Sequence, residues 1–245
     1  MSRKSSSNRR NNKRAEWETE AFPNQHVSTS KFNRNTQRSL APIVPKNMAQ
    51  TLYLDSIKVN QIIFGTGSAG TGKTYIAASY AAEQLFYKNV NKVILTRPAV
   101  TAEEDLGFLP GDLEEKYEPY LLPFKEIFER ALGKSFYECC LKDGTIEPAP
   151  IGYLRGRTFD NAIILIDEAQ NVTIGQMKLI LSRVGENCKI IISGDTNQKD
   201  IKDMSGLEDA IKRLNRVEGV DVINFLPQDI VRSKLCKQII MAYDN

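Results

Sequence analysis

One short segment limits the fold of this chain more than any other: Gly67-Ser68-Ala69-Gly70-Thr71-Gly72-Lys73-Thr74. It fits the pattern G-x-x-x-x-G-K-[ST], follows an apolar run at residues 62–64 and precedes a helical pattern. Its glycines let the backbone curl so that successive N–H groups face a phosphate, and the start of the helix adds partial positive charge. We therefore predict a strand, a phosphate-binding loop and a helix, in that order.

Two side chains of this loop have distinct predicted roles. Lys73 is expected to reach the β and γ phosphates of ATP, and the hydroxyl of Thr74 is expected to ligate Mg²⁺. The alternative is a glycine turn that binds nothing, and the flanking strand and helix argue against it. Residues 67–74 are thus the predicted nucleotide site.

A second apolar run, residues 163–166, ends in the carboxylates of Asp167 and Glu168. Asp167 is expected to hold Mg²⁺ through water, and Glu168 to orient and deprotonate an attacking water. Alone, such a pair is often only a solvated strand end, but together with the phosphate loop it indicates a nucleotide site. A glutamate beside the metal aspartate favours hydrolysis of ATP over a small-molecule kinase.

A third apolar run, residues 190–192, leads into Gly194, Asp195 and Gln198. The carboxyl ends of parallel strands meet at one edge of a sheet, so this loop is expected beside the other two. Gln198 is therefore predicted to sense the γ-phosphate or to position water. The alternative for this segment is ordinary turn chemistry.

Short β-branched runs alternate with amphipathic helical patterns from residue 40 onward, which predicts an α/β fold. We expect a mostly parallel sheet of five or more strands with helices on both faces. The predicted strands are residues 61–65, 92–96, 162–166, 189–193 and 221–225.

The long interval 97–160 is interpreted as an elaboration of the same domain, which spans residues 39–245. Within it, residues 113–132 are predicted to form one or two helices broken at Pro119 and Pro123. Residues 136–142 are predicted to form another helix, and residues 146–154 to be extended.

Composition excludes several other classes of site. His26 is the single histidine and the four cysteines form no C-x-x-C pair, which argues against a His-based triad, a zinc site or a disulfide framework. Apolar runs are far shorter than a membrane span, and no apolar stretch follows the basic start. We therefore expect no membrane segment, no secretory signal and a cytoplasmic location.

The positive charge of the chain is concentrated at its start. Residues 1–38 carry nine Lys and Arg against three Glu, a net +6, whereas the other 24 basic and 27 acidic residues give the body −3. Large apolar residues are few there, so we predict a disordered tail. It is either a basic arm that binds nucleic acid by counterion release or a solubilising or assembly tail.

Several segments of the body carry a family resemblance. They are Arg97-Pro98-Ala99-Val100, Leu106-Gly107-Phe108-Leu109-Pro110-Gly111-Asp112-Leu113, Arg155-Gly156-Arg157-Thr158, Asp167-Glu168-Ala169-Gln170-Asn171, Gly194-Asp195 with Gln198, and Ser205-Gly206-Leu207. On these residues the chain, from about residue 45 to 243, resembles the phosphate-starvation-inducible PhoH-like ATPases, relatives of superfamily 1 helicases. It departs from that family at Ser68, where proline is frequent, and in the tail.

The resemblance implies a RecA-like P-loop NTPase domain and further site residues. Gln50 looks like the glutamine that reads adenine in helicases, and Arg232 resembles the helicase arginine that touches the γ-phosphate; each has the alternative of a plain surface residue. Arg97, Arg155 and Arg157 are candidates for nucleic-acid contact or for arginine fingers across a subunit boundary.

Only one RecA-like domain fits this chain, whereas superfamily 1 motors close two such domains around a nucleotide. We therefore expect self-association, as a hexameric ring. The first functional hypothesis is an ATPase stimulated by RNA or single-stranded DNA, with helicase-like action. The second is a nucleotide-dependent regulatory or assembly switch in phosphate stress that moves no strand.

Overall fold

The computed structural model describes residues 39–98, 113–201 and 204–243. In this part of the chain, six parallel strands form one sheet in the order β3-β2-β4-β5-β1-β6. The strands are β1 (Ile62–Gly67), β2 (Lys92–Thr96), β3 (Ile146–Pro148), β4 (Ala162–Ile166), β5 (Cys188–Gly194) and β6 (Val220–Phe225). The α-helices are α1 (Met48–Val59), α2 (Lys73–Phe86), α3 (Leu113–Leu132), α4 (Lys134–Lys142), α5 (Ile174–Leu181), α6 (Gly206–Leu214) and α7 (Lys234–Tyr243).

The parallel α/β sheet confirms the predicted fold class, and each of the five predicted strands is present within two residues of its expected bounds. The sixth strand, β3, comes from the 97–160 interval and pairs with β2, with Ile146 opposite Val93. That interval therefore extends the sheet at one edge.

Helices cover both faces of the sheet because strand residues alternate between two buried clusters. Ile63 and Ile163 pack with helices α1 to α4 on one face. Their neighbours Phe64 and Ile164 pack with α5 and α6 on the other. The central strands are buried on both faces, which explains their nearly continuous apolar sequences.

Helix α3 corrects one prediction, since it runs unbroken from Leu113 to Leu132 with Pro119 and Pro123 inside it. Each proline removes a backbone donor and crowds the preceding turn. Packing outweighs this cost because apolar side chains at helical spacing are buried on one side of the helix. They are Tyr117, Leu121, Phe124, Phe128 and Leu132.

Residues 146–154 are extended only at their start. After β3 and Pro150, the chain turns into a short 3-10 helix, Ile151–Leu154, whose two end residues are buried. The predicted extended segment was therefore wrong beyond Pro150, because the turn lets two large apolar side chains reach the core. The predicted helix at residues 136–142 is present as part of α4.

Three stretches used in the sequence analysis lie outside the described residues: the basic tail at residues 1–38, residues 99–100 and the distinctive segment at residues 106–112. Among the helices that the structure does describe, none combines the length and apolar character needed to cross a membrane.

Candidate functional site

The phosphate loop connects β1 to α2 and contains glycines at positions where any other residue would be strained. Gly70 and Gly72 have positive φ values of 76° and 88°. A Cβ on Gly70 would lie 3.0 Å from Cγ of Arg232, and one on Gly72 would lie 2.5 Å from Nε2 of Gln50. The loop is therefore held between α1 and the segment that follows β6.

Lys73 is almost fully buried, with 8% of its surface exposed. Its ammonium donates hydrogen bonds to the carbonyl oxygens of Gly67 (2.5 Å) and Ser68 (2.9 Å) and lies 5.8 Å from the centre of the Phe225 ring. Burial lowers the pKa of Lys73, and the nearby carboxylate of Asp195 opposes this shift. The buried ammonium of Lys73 thus lies at the loop, where a bound phosphate would neutralise its charge.

Thr74 and Asp167, the two predicted metal ligands, are in direct contact. The Thr74 hydroxyl donates to Oδ1 of Asp167 at 2.9 Å, although 93 residues separate them in sequence. Asp167 is buried, and burial, with the charge of Glu168, raises its pKa.

These two oxygen ligands fit Mg²⁺. The described residues contain no cluster of three or more His, Cys, Asp or Glu that could enclose a metal ion. Magnesium characteristically takes one or two protein oxygens and completes its shell with water and substrate phosphates. The pair would therefore hold the ion only together with a bound nucleotide.

Glu168 sits just past β4 with a left-handed backbone, φ 54°. One carboxylate oxygen accepts a hydrogen bond from Nη2 of Arg97 at 3.0 Å. The other accepts from Nε2 of Gln170 at 2.6 Å. Both oxygens of the predicted base are therefore engaged by neighbouring side chains.

Gln170 and Asp195 are functional candidates to which the sequence alone gave no role. Oε1 of Gln170 accepts from the backbone N–H of Asp195 at 3.0 Å, so this side chain joins the ends of β4 and β5. Asp195 in turn accepts the N–H of Ala69, in the phosphate loop, at 3.1 Å. Both follow apolar runs that end at the same sheet edge, which was the available sequence signal.

One cavity of about 380 Å³ brings most of the predicted site together. The predicted residues on its wall are Ala69, Gly70, Gly72, Lys73, Thr74, Arg97, Asp167, Glu168, Gln198 and Arg232. Helices α2 and α3 add an unpredicted wall of Tyr75, Pro123, Glu126 and Ile127. Arg232 is held over the loop because the N–H of Val231 donates to the carbonyl of Gly70 at 3.0 Å.

Gln50 is buried beneath the loop and does not line this cavity. Its Nε2 donates to the carbonyl of Thr71 at 2.8 Å, and its Oε1 accepts the N–H of Lys46 at 2.8 Å. In this arrangement the carboxamide braces the phosphate loop. Its role in reading adenine stays a prediction.

Arg155 and Arg157 lie away from the cavity. Arg157 makes a two-pronged ion pair with Glu147 (2.5 and 2.8 Å) and covers the ring of Phe159 at 4.6 Å. Lys92 also contacts Glu147, at 2.6 Å. Arg157 thus stabilises the β3 edge of the sheet, whereas Arg155 is exposed; a role for either across a subunit boundary stays a prediction.

Comparison with known proteins gives a consistent family. A profile of the family described as PhoH-like protein matches residues 42–244. Protein PhoH of Escherichia coli (strain K12) is 49% identical over 210 residues, which is 84% of this chain and 59% of that protein. The PhoH-like protein of Bacillus subtilis (strain 168) is 46% identical over 202 residues, 82% of this chain and 63% of that protein.

A solved structure, that of Pif1 helicase from Candida albicans, overlaps 77% of this chain and 42% of that chain. The TM-score is 0.39 and the sequence identity 16%. The chain spans about three fifths of the length of the curated relatives it matches. On the profile match and the identities of 49% and 46%, the chain belongs to the PhoH-like protein family, and its parallel sheet with the phosphate loop after β1 is a RecA-like P-loop NTPase fold.

Proposed function

We propose that this protein hydrolyses Mg-ATP in the cytoplasm, and that RNA or single-stranded DNA stimulates the reaction in a helicase-like cycle. The observation that carries the hydrolysis is the 2.9 Å contact between Thr74 and Asp167, with Glu168 on the same cavity wall. Family membership and the phosphate loop support ATP as the ligand.

The residues of the cavity divide the work of hydrolysis. A bound Mg²⁺ would neutralise charge on the β and γ phosphates. Loop N–H groups and Lys73 hold the phosphates, and Glu168 takes a proton from water as the water oxygen bonds to the γ-phosphorus. The bond from that phosphorus to the bridging oxygen breaks, and ADP keeps the electron pair. Gln198 and Arg232 line the same cavity, which supports the proposal that they contact the γ-phosphate.

The direct test of this chemistry is Glu168→Gln. We expect the variant to bind ATP with nearly normal affinity and to hydrolyse it at least about 100-fold more slowly, because the base is lost while the cations remain. ATP binding by calorimetry and phosphate release measure the two effects. Glu186→Gln, at an exposed glutamate away from the cavity, is the control. Hydrolysis at the normal rate by Glu168→Gln would show that the base is elsewhere.

Stimulation by nucleic acid is supported by the helicase resemblance, by the basic tail and by Arg97 on the cavity wall. The acidic body of the chain argues against it. ATPase rates with and without poly(U) or single-stranded DNA separate the alternatives: a several-fold increase supports the helicase-like reading. An unchanged rate favours an assembly switch, and the appearance of a phosphorylated small molecule favours a kinase.

We propose that the basic tail is the arm that captures nucleic acid. Removal of residues 1–38 is expected to leave the basal ATPase rate intact and to weaken salt-sensitive binding to poly(U). If the truncated protein binds poly(U) as tightly as the full chain at every salt concentration, the tail serves solubility or assembly instead.

We further propose that the protein assembles as a hexameric ring, since the RecA-like domain formed by the described residues supplies only half of a two-domain motor site. Gel filtration with light scattering in saturating Mg-ATP tests this. A monomer under those conditions contradicts the ring and any arginine finger from a neighbour.

A further inference from the structure

The ion pair between Arg97 and Glu168 joins the ends of β2 and β4 across 71 residues of sequence. Nη2 of Arg97 lies 3.0 Å from Oε1 of Glu168, and the two side chains are 25% and 38% exposed. A single partly exposed pair of this kind contributes little to stability. The pair therefore affects the availability of the Glu168 carboxylate more than it affects the stability of the fold.

The backbone of Arg97 is fixed on both sides by one hydroxyl. The N–H of Arg97 donates to Oη of Tyr117 at 2.7 Å, and the same Oη donates to the carbonyl of Arg97 at 2.9 Å. Tyr117 is buried on α3, and burial raises its pKa, so the hydroxyl keeps its proton at neutral pH. Helix α3 thus fixes the backbone position from which the side chain of Arg97 extends toward Glu168.

Both oxygens of the Glu168 carboxylate accept hydrogen bonds from neighbouring side chains. Gln170 occupies Oε2 at 2.6 Å, and Arg97 occupies Oε1. Each carboxylate oxygen accepts about two hydrogen bonds, so Arg97 leaves one side of Oε1 open and restricts the direction from which a water can approach. Since Gln170 is buried and also bound to the end of β5, Arg97 is the more exposed of the two partners.

We propose that Arg97 is a restraint on Glu168: it keeps the base in a resting position, and polynucleotide phosphate releases the base by attracting the guanidinium. A guanidinium matches a phosphate as well as a carboxylate, through paired N–H donors. The restraint rests on the proposed function, in which Glu168 is the base. It makes Arg97 the residue through which nucleic acid controls hydrolysis.

The decisive variant is Arg97→Gln, which removes the charge and keeps a side chain of similar length. Without polynucleotide, kcat is expected to rise about three- to tenfold while the KM for ATP stays within about twofold. The stimulation ratio with poly(U) is expected to fall toward one. Loss of folding could not produce this rise in kcat. Arg97→Lys keeps the cation and, when folded as judged by circular dichroism, is expected to restore the low basal rate.

Two further variants complete the design. Tyr117→Phe removes the hydroxyl that fixes Arg97 and is expected to raise the basal kcat in the same direction by a smaller factor. Arg130→Gln, at an exposed arginine in the last turn of α3, matches the charge change and is expected to behave as wild type.

A basal kcat that falls or stays unchanged in a folded Arg97→Gln, as judged by circular dichroism, overturns the restraint. If poly(U) does not change the ATPase rate of the wild-type protein, the nucleic-acid part of both proposals fails. The basal kcat of Arg97→Gln still decides whether Arg97 holds the base. Should wild type not hydrolyse ATP at all, the proposed function fails. A gain of hydrolysis in Arg97→Gln then supports the restraint, and no gain overturns it.

Discussion

The carboxamide of Gln170 shows how a single side chain orders the site. It donates to Glu168 at one end and accepts from the backbone of Asp195 at the other. Its exposed fraction is 2%, so neither contact is easily replaced by water. A buried polar group in such a position is costly to leave without a partner.

Gln170→Glu places an acceptor against the carboxylate of Glu168. We expect kcat to fall at least about tenfold, because two carboxylates repel each other or share a proton. Steady-state ATPase kinetics measure the effect. Gln176→Glu, in the capping box of α5 where a carboxylate keeps the acceptor oxygen, is the control. An unchanged kcat would remove Gln170 from the site.

Lys73→Ala tests the same site from its cationic side. We expect the Kd for ATP to rise at least about tenfold and turnover to be lost, since the phosphates lose their closest ammonium. Calorimetric titration measures the Kd. Lys178→Ala, at an exposed lysine of α5, should bind ATP normally. Normal binding by Lys73→Ala would place the phosphates elsewhere.

At the scale of elements, α3 connects the core to the site. One side of the helix buries Tyr117 and Phe124, and Pro123 and Ile127 line the cavity. Its two prolines are tolerated because this packing compensates for the broken helical hydrogen bonds. The helix therefore carries a local cost at each proline.

Pro119 is exposed, so its replacement isolates that cost. Pro119→Ala is expected to raise the free energy of unfolding by about 1–2 kcal/mol, after the greater flexibility of the unfolded chain is subtracted. Urea unfolding followed by circular dichroism measures it. Pro227→Ala, at the first turn of a 3-10 helix where proline is favourable, should give no gain. A loss of stability in Pro119→Ala would show that the ring makes a contact that matters.

At the scale of the molecule, the β3 edge of the sheet is stabilised by Glu147 between Arg157 and Lys92. The hydrogen bond from Arg157 is the main reason that the pKa of Glu147 falls to about 2. A carboxylate with a lowered pKa stabilises the fold above its unfolded pKa. That contribution is lost as pH falls from about 4.5 toward 2.

Glu147→Gln is therefore expected to lower the free energy of unfolding by about 1–2 kcal/mol at pH 7, with the difference from wild type shrinking between pH 4.5 and 2. Denaturant unfolding at several pH values measures this. Glu138→Gln, which breaks the exposed pair with Lys134, should cost less than about 0.5 kcal/mol. A pH-independent difference would assign the effect to packing.

The sequence by itself determined five of the six described strands, the phosphate loop and the carboxylates after β4, because each is encoded by neighbouring residues. Apolar periodicity and glycine spacing act over a few positions, so Thr74 and Asp167 were recognised separately before their contact was known. The unbroken course of α3 was missed because burial overrode the local effect of its prolines.

Only the tertiary structure decided which side chains meet at the sheet edge. The contacts of Arg97 with Glu168, of Asp195 with Ala69 and of Gln50 with Thr71 join residues from different elements. Strand order and register set the distances between these side chains, and no pattern of neighbouring residues in the sequence predicts them. For the same reason Arg157, which sequence grouped with Arg97, pairs instead with Glu147 in the middle of the edge strand β3.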